Sequence, residues 1–174
     1  MLHIVRQTLH TLYTQNRVPT IEELSIHNPA LLSKKGTVFV TLYKNGNIIG
    51  NSGNVVELEE NIVYELIKNT VYATQDLRFD RTTAADLSSM NIRIDIITSR
   101  NIIDKPIEAL DPAQSGILVI KKDYSKLSVI LPNISSTLVS GREMINVLSA
   151  KLDEPFVEVD YIVYEITTQT VSDF

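Results

Sequence analysis

Asn45-Gly46 lies between two runs that favour extended backbone, and few dipeptides restrict a chain as tightly. A two-residue type I′ hairpin needs positive φ at both turn positions, which Asn and Gly tolerate best. Thr37 to Tyr43 ahead of the pair is rich in β-branched and aromatic residues, so Asn47 to Gly50 is predicted to return antiparallel to it. A second hairpin is predicted where Gly116 to Lys121 and Leu127 to Leu131 flank a short polar loop, with Pro132 ending the pairing.

Helical periodicity surrounds these strands. Leu2, Val5, Leu9 and Leu12 share one face, with Gln7, Thr8 and Thr11 elsewhere, which predicts an amphipathic helix ending near Asn16. Thr20 and Glu23 have capping-box spacing for a short turn or helix, and Thr83 with Asp86 is read as a cap for another. Leu58, Ile62, Val63, Leu66, Ile67 and Val71 predict a helix over Leu58 to Ala73, with Glu57, Glu59 and Glu60 near the positive end of its dipole. Ser140 and Glu143 form a third capping box, ahead of Met144, Val147, Leu148 and Leu152.

Asn91 to Ile97 alternates Ile92, Ile94 and Ile96 against Arg93 and Asp95, the pattern of a half-buried strand. Val157 to Thr167 reads as a long strand with no wholly polar side, hence central or covered on both faces. The expected class is α+β, mainly antiparallel sheet with packed helices.

Composition closes several functional classes. With 174 residues, 44% of them hydrophobic and 21% charged, the chain suits one domain with a packed core rather than a disordered or fibrous segment. The absence of cysteine removes disulfides, thiolate nucleophiles and Cys-based metal sites. A net charge of -5, with only Lys34-Lys35 and Lys121-Lys122 as basic pairs, argues against binding DNA or RNA. His3, His10 and His27 all fall ahead of the strand-rich body and read as surface or packing side chains rather than a site. Glu57, Glu59, Glu60, Asp76 and Asp80 supply carboxylates, yet no Glu-x-x-His, His-x-Glu or EF-hand pattern accompanies them, so neither metal nor cofactor is expected. The longest apolar runs are too short to span a bilayer and Met1-Leu2-His3 opens no targeting segment, so a soluble, cytoplasmic protein is expected.

Gly36 to Gly53, reading GTVFVTLYKNGNIIGNSG, resembles the hallmark of the AMMECR family, named for the chromosomal region of Alport syndrome, midface hypoplasia and elliptocytosis. In that family a Phe-Val-Thr-Leu strand, here Phe39-Val40-Thr41-Leu42, leads through a turn into Leu-Arg-Gly-Cys-Ile-Gly. Further pieces follow in family order. Asp76-Leu77-Arg78-Phe79 resembles Asp-Pro-Arg-Phe, and Ile92 to Ser99 resembles an Ile-Ser-Val-Leu-Ser strand. Gly116-Ile117-Leu118-Val119 resembles Gly-Leu-Val-Ile, Leu131-Pro132-Asn133 resembles Leu-Pro-Gln, and Ser149-Ala150-Lys151-Leu152 resembles Lys-Ala-Gly-Leu. At the hexapeptide Ile49 stands in place of Arg, Asn51 in place of Cys and Ser52 in place of Ile, while Gly50 and Gly53 remain.

The resemblance implies one domain over residues 1–174, with two lobes of unequal size around a cleft. The smaller lobe is expected near residues 54–90, inserted in a larger one made of 1–53 and 91–174. It implies a cleft site at Gly50, Asn51, Ser52, Gly53, Asn54, Asp76 and Arg78, and a protein or peptide partner. Because prokaryotic members often accompany a Memo-like protein or a radical S-adenosylmethionine protein, these are the partners it points to. A binding or scaffold module needs no catalytic base and suits the cysteine-free composition. The alternative is a hydrolase or transferase with Ser52 as nucleophile, but the Gly-x-Ser-x-Gly spacing is missing and no His is near in sequence. Asp76 and Arg78 are expected to meet across a turn beside Phe79. In that reading Asp76 accepts backbone N–H groups, and a buried Arg78 ties carbonyls together, so that its loss costs a few kcal/mol.

Overall fold

The computed structural model describes residues 1–26 and 28–174; His27 lies outside the described residues. The first hairpin forms at its predicted turn. Asn45 has φ 53° and Gly46 φ 78°, joining β1 (Val38–Lys44) to β2 (Asn47–Gly53). The strands pair antiparallel from Phe39 opposite Gly53 to Lys44 opposite Asn47, with a shift where Leu42 faces Gly50 and Tyr43 faces Ile48. Ile49 is thus the extra residue of a β-bulge, a feature that bends and twists the strand carrying it. On its other side β1 pairs antiparallel with β3 (Met90–Ile102), Val38 opposite Ile96 and Leu42 opposite Ile92.

Two helices cover one face of these strands. α1 (Leu2–Gln15) ends at Asn16, whose φ of 52° makes a left-handed C-cap. Its buried stripe is Ile4, Val5, Thr8 and Leu9. Thr8, assigned to the polar side from sequence, is accommodated there because its hydroxyl donates to the Ile4 carbonyl at 2.8 Å. α2 (Ile62–Ala73) starts at Ile62 rather than Leu58, because the Asn61 side chain accepts from the N–H groups of Val63 and Tyr64 and fixes the N-cap there. Val5, Leu9, Leu66, Val40, Leu42 and Ile94 belong to one buried apolar cluster.

β3 departs from the half-buried strand predicted for it, since Ile92, Arg93, Ile94, Asp95 and Ile96 are all buried. Arg93 and Asp95 satisfy each other: Nε and Nη2 of Arg93 each donate to the Asp95 carboxylate at 2.8 Å. The Thr170 hydroxyl donates to the same carboxylate at 2.6 Å.

The second hairpin joins β4 (Gly116–Lys121) to β5 (Leu127–Ile130), with Ile117 opposite Ile130 and Ile120 opposite Leu127. α3 (Gly141–Leu152) opens on the predicted capping box, in which Ser140 accepts from the Glu143 N–H and Glu143 accepts from the Ser140 N–H. β6 (Tyr161–Ser172) pairs antiparallel with β4, Gly116 opposite Ile166 and Lys121 opposite Tyr161. It begins at Tyr161 instead of Val157 because Glu158–Asp160 form a single 3-10 turn. Ile117, Val119, Met144, Leu148 and Val163 form a second apolar cluster.

Hydrogen bonding orders the strands β2-β1-β3-β6-β4-β5, so β6 has a neighbour on each side, as its sequence implied, and β2 and β5 are the edges. The fold is α+β. The chain divides into two compact units, Met1–Ile96 with Thr170–Phe174, and Ile97–Gln169. Residues 54–90, read from sequence as a smaller lobe, fall inside the first of these units. No described helix is long and apolar enough to cross a membrane.

Candidate functional site

The glycines of the motif strand are explained by close approach. A Cβ on Gly50 would lie 2.0 Å from the Ala73 carbonyl oxygen, so β2 passes against the C-terminal end of α2 with no room for a side chain. A Cβ on Gly53 would lie 2.1 Å from Cδ1 of Phe39, whose ring covers the facing glycine across the strand pair. Neither residue has positive φ. Packing fixes both, with no reactive side chain required.

Between them each polar side chain has a partner. Asn51 sends its Nδ2 to the Thr41 hydroxyl at 2.7 Å, while its backbone N–H donates to Oδ2 of Asp76 at 3.0 Å. Ser52 points to the other side and donates to Oδ1 of Asn69 at 2.9 Å. Asn54 donates to Oε2 of Glu65 at 3.0 Å. Ile49, at the position of the family Arg, packs against the first apolar cluster instead.

Two buried residues missed by the sequence reading hold this strand to α2. Glu65, 1% exposed, accepts from Asn54, from the backbone N–H groups of Leu58 and Glu59, and from Nδ2 of Asn69. Asn69, fully buried, also donates to the Val38 carbonyl at 3.3 Å. Their signal was an i, i+4 pair of polar residues between the apolar positions of α2, a spacing that stacks both on one side of a helix.

Asp76 and Arg78 meet as expected. Nε and Nη2 of Arg78 donate to the two carboxylate oxygens of Asp76 at 2.9 and 2.6 Å, and the Arg78 N–H adds a third bond at 3.2 Å. Burial by itself would push the Asp76 carboxyl up, but Arg78 and the N–H groups of Arg78 and Asn51 outweigh it and hold the group below its ordinary pKa. Asp76 therefore takes backbone N–H donors as anticipated and stops one outward N–H of an edge strand.

Arg78 differs from the expectation of a buried tie. Its side chain is 53% exposed against 8% for Asp76, its Nε and Nη2 are used on Asp76, and its guanidinium carbon sits 5.6 Å from the centre of the Phe79 ring. Leu77 beside it is fully exposed. The structure thus brings Asn51, Asp76 and Arg78 to one place on the β2 edge, and directs Ser52 and Asn54 to Asn69 and Glu65 on α2. The partner of the Ser52 hydroxyl is an amide oxygen, which cannot take its proton as a general base would. Among the described residues no group of three or more His, Asp or Glu side chains is gathered as a metal ion would require.

The AMMECR1 family profile matches residues 2–168. The chain belongs to the AMMECR1 family. Among curated proteins it is similar to Protein Mbar_A1807 of Methanosarcina barkeri, 26% identical over 139 residues that cover 76% of this chain and 66% of that one. It is also similar to Protein CA_C1420 of Clostridium acetobutylicum, 30% identical over 102 residues, 58% of this chain and 21% of that one. The matched region therefore spans just under two thirds of the first relative and about a fifth of the second. The crystal structure of an uncharacterised protein, PH0010 of Pyrococcus horikoshii, has a similar fold, with a TM-score of 0.81 at 18% identity, covering 97% of this chain and 87% of that one.

Proposed function

We propose that this AMMECR1 domain is a non-catalytic binding module. Its site for a protein or peptide partner is the surface made by Gly50 to Asn54 together with the Asp76 to Arg78 turn. The carrying observation is that the turn is fixed from below and open above: a nearly buried Asp76 clamps it to Asn51, while Leu77 is fully exposed and Arg78 half exposed. An exposed aliphatic side chain next to a preoriented guanidinium supplies the two kinds of contact that dominate small interfaces. The commitment of the Ser52 hydroxyl to Asn69 favours this reading over a Ser52 hydrolase or transferase. The Clostridium relative, in which the matched segment is 21% of the chain, supports it as well, since a module is the kind of unit carried inside longer proteins.

The resemblance supplies a concrete assay: co-purification with a Memo-like or radical S-adenosylmethionine protein from the same genome, followed by shift mapping. Leu77→Asp and Arg78→Ala are each expected to weaken a captured partner at least about tenfold with the melting temperature of the free domain little changed. Binding that leaves Asn51, Leu77 and Arg78 unperturbed, or esterase or amidase turnover that Ser52→Ala abolishes, would overturn the proposal.

A further inference from the structure

We infer that a second site, separate from the motif strand, binds small carboxylic acids with an apolar body. It is the cavity between α1 and the segment that follows it. The cavity holds about 360 Å³ and is lined by Leu9, Pro19, Leu24 and Leu87, with Arg6, Gln7, His10, Thr11 and Glu23 supplying the polar part. All of these residues lie in the first compact unit. Volume and a mostly apolar lining with a few polar groups match the sites that take small molecules.

The charge of the ligand follows from which hydrogen-bonding groups are already used. The amide oxygen and the carboxylate of the lining already have donors. Oε1 of Gln7 accepts the Ser25 N–H at 3.0 Å. The Glu23 carboxylate takes both terminal nitrogens of Arg17, at 2.7 and 2.6 Å, and the Thr20 N–H at 2.8 Å. Arg17 and these donors hold Glu23 down to about 2, so it is ionised and already paired. The donors are not committed to the same extent. Arg6 uses Nη2 on Asp173 at 2.5 Å and keeps its other N–H groups. Among the described residues neither the Gln7 amide nitrogen, the Thr11 hydroxyl nor the His10 imidazole has a partner in the chain. A guanidinium, an amide N–H₂ and a hydroxyl among apolar lining side chains suit an acceptor-only, negatively charged head group. An ammonium ligand would find its one carboxylate occupied.

Three probes that share one body separate the head groups: phenylpropanoate, phenylpropanol and phenylpropylamine, titrated into the full chain and followed by amide-resolved NMR. The acid is expected to move the Gln7, His10, Thr11 and Leu24 resonances with a dissociation constant on the order of 1 mM, as ligands of this size allow. It should bind at least about fivefold tighter than the alcohol, and the amine weaker than both. Thr11→Trp, which adds a bulky side chain to the lining, should abolish binding. Arg6→Gln leaves the cavity in place and should weaken the acid about fivefold without changing the alcohol. The inference is overturned if the amine binds as tightly as the acid or if the perturbed resonances lie outside the lining. It is equally overturned if Arg6→Gln affects acid and alcohol alike, or if the acid does not bind.

Discussion

Asp95→Leu tests the most unusual feature of the first unit, an ion pair in the interior of a sheet. The side chains of Arg93 and Asp95 are 7% and 0% exposed, and two bonds of 2.8 Å join them, with Thr170 donating to the same carboxylate at 2.6 Å. Removing the carboxylate leaves a guanidinium out of water without its counter-charge and a hydroxyl without its acceptor. Breaking a buried pair in this way costs about 3–5 kcal/mol, a large share of the roughly 5–15 kcal/mol that stabilises a typical domain. For a chain of this length the melting temperature falls by about 2–4 °C per kcal/mol, so a drop of roughly 6–20 °C is expected. Urea unfolding followed by far-UV circular dichroism is the appropriate assay, because the protein has no Trp. Arg93→Met combined with Asp95→Leu should recover most of the loss, because an apolar pair has no charge to strand. A cost below about 1 kcal/mol for the single change is the value for a solvated pair and would refute burial of these side chains. A double variant as unstable as the single would refute stranded charge as the cause.

Gly50→Ala should destabilise by about 1–3 kcal/mol, the usual cost of overpacking, because its Cβ would fall 2.0 Å from the Ala73 carbonyl oxygen; a melting temperature equal to wild type would refute the close approach. Arg78→Ala should cost less than about 1 kcal/mol, since the side chain is 53% exposed, whereas Asp76→Ala should cost more because it also removes the acceptor of the Asn51 N–H. Thermal melts of the two variants rank them, and the reverse order would show that Arg78 is the structural member. Glu154 is held down from 4.5 to about 2 by Lys121, Tyr161 and Lys126. Its folded pKa lies below the unfolded one, so its contribution is present above pH 4.5 and lost as pH falls towards 2. The urea midpoint should therefore decline over that interval, and Glu154→Gln should flatten the decline; an unchanged slope would contradict the assignment.

What the sequence determined by itself was local. Asn45-Gly46 specifies its hairpin because only a few residue types accept two consecutive positive φ values. Ser140 and Glu143 start α3 because a side chain three residues away reaches the exposed N–H groups of a helix end. The class and the order of most elements follow from such short-range rules. Family membership was legible too, because strand motifs such as Phe39-Val40-Thr41-Leu42 kept their order along the chain. Sequence also paired Asp76 with Arg78, since two residues across a turn have few other places to meet.

Everything that depended on what lies over a side chain was left to the tertiary structure. Polar residues at period two read the same whether water or protein covers them, so Arg93 and Asp95 appeared solvent-facing until their mutual bonding and the Thr170 contact were visible. Arg78 was expected to be buried because apolar Phe79 lies beside it, yet only Asp76 is covered. Ile49 became a bulge through a register shift that no single-strand pattern encodes, and Gly50 is required by the carbonyl of a helix more than twenty residues further along the chain. Glu65 and Asn69 are polar groups inside an apolar helix face. Their value depends on donors from residues 54–59 and an acceptor on β1, which come within reach only after the chain has folded. Short-range geometry is written in neighbouring residues, whereas burial is a property of distant segments brought together, and that is why the elements were legible and the chemistry of the site was not.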